Sequence, residues 1–180
     1  MTPEKFYESY REYAERNEKE NGVPALVTLA QAALESGWGK HAPGNNFFGI
    51  KDSSSANFGI QILNTTEYIH KKKVGIKAKF ETYPSPFECF EHHANLLKKR
   101  FPKAFRHKDP VAFIMSVQND HGYMYATDPK YVRKIVKIIN VIKIEEEKKR
   151  VTGNEINHKE MELIPNPDGK NKKLANRRGE

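Results

Sequence analysis

Cysteine is nearly absent from this chain: Cys89 is the one example in 180 residues. A single thiol excludes an internal disulfide framework and any Cys-rich zinc module, so the core must stand on packing alone. Long apolar runs are missing as well. Stretches such as Val111 to Met115 last only a few residues, against the roughly 20 that a membrane-spanning helix needs, so no membrane insertion is expected. The opening Met-Thr-Pro-Glu-Lys-Phe-Tyr-Glu-Ser-Tyr has no basic stretch followed by an apolar one. The expectation is therefore a chain made in the cytoplasm, unless an export signal was removed from it. No self-similarity appears at periods of about 20 to 50 residues, which argues against solenoids and propellers.

What is present suits one folded domain. Hydrophobic residues make up 37% of the chain, and 31 Lys and Arg against 23 Asp and Glu leave a net charge of +8. Of these, 22 basic and 15 acidic residues lie before Glu145, so the basic character belongs to the folded part and points to an anionic partner or substrate. Beyond Ile144 the composition changes. Glu145-Glu146-Glu147-Lys148-Lys149-Arg150 opens a polar stretch that ends Lys172-Lys173-Leu174-Ala175-Asn176-Arg177-Arg178-Gly179-Glu180. This predicts a domain over residues 1–144 and an extended or disordered tail over 145–180, its basic end available for targeting or docking.

Helix punctuation is strong. Thr2-Pro3 reads as an N-cap and first helical position, with Phe6, Tyr10, Tyr13 and Ala14 on one face and Gly22 as the stop. Pro24 opens a second helix carrying Leu26, Leu29, Ala30, Ala33 and Leu34, ended by Ser36-Gly37. Ser85-Pro86-Phe87-Glu88 is a capping box, and Asp109-Pro110 and Asp128-Pro129 repeat the device ahead of helices over about 111–117 and 130–144. Between the second and third helices the pattern turns to Ile, Thr, Tyr and Phe over 57–69 and 74–80, with His70-Lys71-Lys72-Lys73 between them. That reads as a β-hairpin, its lysines either solvating the tip or meeting anionic polymers. A mainly helical domain with a small β-lobe has a natural cleft where the two meet.

Glu35 is the first candidate for chemistry. It ends an apolar helix beside Trp38 and two glycines, in Leu29-Ala30-Gln31-Ala32-Ala33-Leu34-Glu35-Ser36-Gly37-Trp38-Gly39. Partial burial and the negative end of the helix dipole both disfavour its charge, so its pKa should rise toward that of a general acid. A glycosidase needs a second carboxylate from another element. Glu67 in the hairpin is the leading candidate and Glu81 the second, although a strand position leaves open that either points to solvent.

Four segments in order carry a family resemblance: Leu29 to Gly39 as quoted, Asn46-Phe47-Phe48-Gly49-Ile50-Lys51, Thr65-Thr66-Glu67-Tyr68, and Tyr125-Ala126-Thr127-Asp128-Pro129-Lys130-Tyr131. Together they resemble the signatures of the peptidoglycan-cleaving N-acetylglucosaminidases of glycoside hydrolase family 73, over about Phe6 to Ile142. The resemblance implies a lysozyme-like α+β fold and hydrolysis of the β-1,4 bond after N-acetylglucosamine in peptidoglycan glycan strands. It implies Glu35 as general acid, Glu67 as second carboxylate and Tyr125 as the active-site tyrosine, with Trp38, Asn46, Phe48 and Tyr131 contacting substrate. For Asn46 and Phe48, a turn that merely packs under the β-lobe is an equal alternative. No metal or cofactor is called for, and the expectation is a monomer with no nucleic-acid partner. A carboxyl separation of roughly 6.5 to 9.5 Å would make Glu67 the base for an inverting water. A much larger one would favour attack by the substrate's own 2-acetamido oxygen, with Tyr125 steadying the oxazolinium.

One departure from the family pattern falls in the third helix, where Glu88-Cys89-Phe90-Glu91-His92-His93 replaces a segment with an Asp-Tyr pair. That helix is packing in the family, so the catalytic assignment is unaffected. Cys89 lies at an apolar-stripe position, which favours a buried thiol over a nucleophile. His92 and His93, being adjacent on a helix, cannot chelate one metal and read as surface or core residues. A pI of about 9.4 meets the first criterion for a nucleic-acid binder, but no helix-turn-helix, zinc-finger or RNP pattern accompanies it. A muramidase of the same fold and a catalytically silent wall-binding module remain as alternatives. The site of action is expected to be the bacterial wall, reached as a phage endolysin is, as a secreted effector is, or as part of a longer protein.

Overall fold

Side-chain caps set where the helices begin. In the computed structural model, the Lys5 N–H donates to the Thr2 hydroxyl oxygen at 3.3 Å, and α1 (Pro3–Asn21) runs from there to Gly22, at φ 84°. Ser85 accepts from the Phe87 N–H at 3.1 Å and bonds Glu88, completing the capping box of α3 (Pro86–Arg100). Asp109 accepts from the Ala112 N–H at 2.8 Å to open α4 (Pro110–Gln118). The structure describes residues 1–52, 58–69, 72–119 and 124–162, and the side chains of all of these except 67–69, 72–73 and 153–162.

The second helix, α2 (Ala25–Ser36), is the centre of the core. Val27, Thr28, Leu29, Ala30, Gln31, Ala32 and Ala33 are all buried, as expected of a helix apolar on every side. Phe6 from α1, Phe90 and Leu97 from α3, and Phe113 and Ile114 from α4 are buried in the same cluster. It is completed by Ile135, Ile139 and Ile142 of α5 (Tyr131–Glu162). No helix among the described residues is long and apolar enough to cross a membrane.

The hairpin consists of β1 (Ile60–Ile69) and β2 (Lys72–Glu81), paired antiparallel from Ile60↔Glu81 to Ile69↔Lys72. This is tighter than the sequence pattern predicts. Lys72 and Lys73 continue the ladder opposite Ile69 and Tyr68 instead of forming the tip, because cross-strand pairing outweighs the low strand preference of lysine. His70 and Lys71, between the strands, lie outside the described residues, as does Asn57.

The root of the hairpin is fastened to the helices by Asn46. Its amide donates to the carbonyls of Ile50 at 2.8 Å and Glu81 at 3.0 Å, and its oxygen accepts from the Ile50 N–H at 2.9 Å. Gly44, at φ 61°, packs into the same joint, where a Cβ would stand 2.7 Å from Thr82 Cγ2. Only glycine fits there.

Residues 1–145 and 146–180 form two separate units. The second differs from the sequence expectation, since it continues helical to Glu162 where an extended tail is predicted from Glu145. The run of charges supplies its own support: Arg150 reaches back three residues to Glu147, with Nη2 2.7 Å from Oε1.

Candidate active site

Glu35 is the only charged residue of α2, and it sits where that buried helix surfaces. The chain then turns sharply through three left-handed residues, Gly37 at φ 59°, Trp38 at φ 60° and Gly39 at φ 72°. A left-handed tryptophan is strained. It is held by its own N–H donating to the Ala33 carbonyl at 2.8 Å and by its ring set edge-on to Phe6, centroids 5.6 Å apart. Ser36 locks the turn, donating to the Ala32 carbonyl and accepting from the Gly39 N–H at 2.8 Å. A rigid base thus presents one carboxyl group.

That group opens onto a cleft of about 680 Å³. Lys40, His41, Pro43 and Asn46 line one side, and Gln61, Leu63, Asn64 and Thr65 of β1 with Phe80 of β2 line the other. The Glu35 side chain meets water in the cleft, while protein crowds it from behind and pushes its pKa up; the positive charge of Lys134 pulls it partly back. Among the described residues none hydrogen-bonds the Glu35 carboxylate. Two phenols stand near enough to feel its charge. Tyr125 is raised well above the usual phenol range by desolvation, with Tyr131 and Glu35 adding to the shift. Tyr131 is raised by burial, with Glu35 adding, against a lowering hydrogen bond from Gln31. Both therefore stay protonated at neutral pH and can act as donors.

The family model for glucosaminidases, described as mannosyl-glycoprotein endo-beta-N-acetylglucosaminidase, matches residues 11–144. The chain belongs to this glucosaminidase family. It is 34% identical over 139 residues to the peptidoglycan hydrolase FlgJ of Salmonella typhimurium, covering 72% of this chain and 43% of FlgJ. It is 32% identical over 140 residues to the exo-glucosaminidase LytG of Bacillus subtilis, covering 72% of this chain and 47% of LytG. The chain thus spans less than half the length of either relative. In three dimensions it matches the glycoside hydrolase domain of Salmonella typhimurium FlgJ with a TM-score of 0.73 at 31% identity, covering 87% of this chain and 99% of that one. The α+β fold is accordingly that of the lysozyme-like glycoside hydrolase domains, and the chain is a member of a family of hydrolytic enzymes.

Within this glucosaminidase domain, the residues singled out from sequence fall into two groups. Glu35 lines the cleft, and Tyr125, partly exposed, stands close to it. Glu67 lies in β1 opposite Val74, two positions beyond the cleft-lining Thr65, and its side chain lies outside the described residues. Of the others, Asn46 also lines the cleft, Trp38 is half-buried, and Tyr131 and Phe48 are buried. Tyr131 is buried, its hydroxyl accepting from Gln31 Nε2 at 2.8 Å. Phe48 is buried against Phe90 and His93, Asn46 spends its amide on backbone, and Trp38 packs on Phe6.

Glu81, the second candidate from sequence, does not reach the cleft. It is 1% exposed and accepts from the Tyr83 hydroxyl at 2.5 Å, with His92 Nδ1 2.9 Å away. Cys89 is fully buried and its thiol is pushed up to about 12, as suits a packing residue. No group of three or more His, Cys, Asp or Glu among the described residues could hold a metal. Sequence reasoning missed Lys40, His41 and Gln61 on the cleft walls and Lys134 beside Glu35. Only position in the fold marks them, since surface lysine and glutamine carry no motif.

Proposed function

We propose that this domain hydrolyses the β-1,4 bond after N-acetylglucosamine within the glycan strands of bacterial peptidoglycan. Glu35 gives its proton to the glycosidic oxygen as the bond to the leaving sugar breaks. Glu67 either draws a proton from the attacking water or stabilises the positive charge that develops at the anomeric carbon. Tyr125 supports that charge through a hydrogen bond to the 2-acetamido group of the substrate. The reading rests above all on Glu35: an exposed carboxyl group on a buried helix, without a hydrogen-bonding partner among the described residues and with its pKa raised by its surroundings. The names of the relatives, a peptidoglycan hydrolase and an exo-glucosaminidase, support peptidoglycan as the substrate and glucosaminidase chemistry upon it. The net charge of +8 suits a polymer that is anionic through its peptide carboxylates. The proposed catalyst acts as a monomer at the bacterial wall.

The test is digestion of purified peptidoglycan, borohydride reduction and mass identification of the new reducing ends. Reduced N-acetylglucosamine is the expected product, and internal cuts should shorten long strands before small fragments accumulate. Reduced N-acetylmuramic acid would replace the proposed bond with that of a muramidase. No new ends from several wall types would leave a wall-binding module.

A further inference from the structure

Adjacent histidines on α3 face different tasks. His92 turns to Glu81 and Tyr83, whereas His93, 3% exposed, brings its Nε2 to 3.1 Å from the hydroxyl of Tyr125. The His93 ring lies flat on Phe48, centroids 3.7 Å apart and planes 9° from parallel. It stands edge-on to Tyr125, at 5.9 Å and 88°. Phe48 is in turn wedged against Phe90, which is fully buried. The imidazole plane is therefore fixed, and with it the direction of Nε2.

The hydrogen bond also has a direction. Burial drives the imidazole pKa down to about 3, so the ring is neutral at working pH and carries a single N–H. Its Nδ1 has no partner among the described residues. A buried donor without an acceptor is rarer and costlier than an unpaired lone pair, which puts the proton on Nε2. His93 then donates to the Tyr125 oxygen, and the Tyr125 O–H must point elsewhere. Tyr125 is partly exposed and close enough to Glu35 for the two to interact.

We propose that His93 is a positioning residue: its Nε2–H bond to Tyr125 aims the Tyr125 O–H out of the interior and at the sugar whose bond is cut. The inference rests on the role for Tyr125 proposed above.

Variants of the whole chain, assayed for kcat and KM on solubilised glycan strands, test it. His93→Phe keeps the stacked ring and loses the N–H; kcat should fall about 3- to 10-fold, the worth of one neutral hydrogen bond, with KM and melting temperature little changed. His93→Gln keeps an N–H donor and should recover most of that loss. Adding His93→Phe to Tyr125→Phe should cost nothing further. If Tyr125→Phe alone matches wild type, the proposed role of Tyr125 fails and this inference fails with it. If Tyr125→Phe is impaired while His93→Phe is not, or the two losses multiply, this inference alone is overturned. Nitrogen-15 spectra of the wild-type imidazoles decide independently, even where a variant does not fold. A proton on His93 Nε2 supports the assignment, and a proton on Nδ1 overturns it.

Discussion

Glu35 and Glu81 are the same side chain in opposite circumstances. Glu35 ends the central helix, open to the cleft, with none of the described residues hydrogen-bonded to it and its pKa raised by the protein behind it. Glu81 ends β2 at 1% exposure, with the Tyr83 hydroxyl donating at 2.5 Å and His92 Nδ1 2.9 Å away. Partners tell the two apart: donors around a carboxylate hold it in place as part of the scaffold, while an open carboxylate without donors can pass a proton to a substrate. Under the proposed function the two glutamates divide catalysis from architecture, and the division can be tested from either side.

The largest effect belongs to Glu35→Gln. An amide fills the same space and cannot supply the proton, so turnover should fall by about 100-fold or more. Retention of over a tenth of wild-type kcat would remove Glu35 from the role of general acid. Folding should survive, and the sign of the stability change is fixed. Because the folded state raises the Glu35 pKa, it holds this proton to higher pH than the unfolded chain does. Wild-type stability therefore declines as pH climbs through that interval. Glu35→Gln escapes the decline and should melt at or above wild type near neutral pH, with the gap closing in acid.

Glu81 should behave in the reverse way. Glu81→Ala strips a buried network of its acceptor and should lower unfolding free energy by about 2 to 4 kcal/mol, read by urea denaturation. Tyr83→Phe, which removes one donor to a carboxylate, should cost about 1.5 kcal/mol. In both, turnover per folded molecule below the transition should stay near wild type. A folded Glu81→Ala as inactive as Glu35→Gln would erase the contrast between them.

Sequence made half of this contrast visible. Glu35 was legible because its signals are local: an apolar helix, one acid at its end, and Gly-Trp-Gly to stop it. The caps of α1, α3 and α4 were legible for the same reason, since Thr2, Ser85 and Asp109 satisfy N–H groups within three residues of themselves. The end of the hairpin was not, because Lys72 and Lys73 are strand residues only by virtue of their partners across the ladder. Nor was the fate of Glu81. A strand pattern cannot say that His92, eleven residues on and in another element, will meet it. The contact from His93 to Tyr125 spans 32 residues and is invisible for the same reason. α5 ran past its expected end at Ile144 because no glycine, proline or cap follows there, and charges three residues apart support one another.

The subtlest test concerns what tunes Glu35 and not what fixes it. Lys134, on the first turns of α5, is the charge that lowers the Glu35 pKa against the effect of crowding. It is itself tied to Asp128, Nζ to Oδ2 at 2.6 Å, and its side chain is about half exposed at 53%. Lys134→Met removes the positive charge and leaves Asp128 negative, and both changes push the Glu35 pKa further up. A general acid works only while protonated, so the alkaline limb of the kcat profile should move to higher pH while the plateau below it stays put. Salt screens charges reached through water, so the shift should be largest in dilute buffer and shrink as ionic strength rises. An acidic limb that moves to higher pH instead would mean that Lys134 acts on the other carboxylate, and an alkaline limb that does not move would assign the alkaline fall to a group other than Glu35.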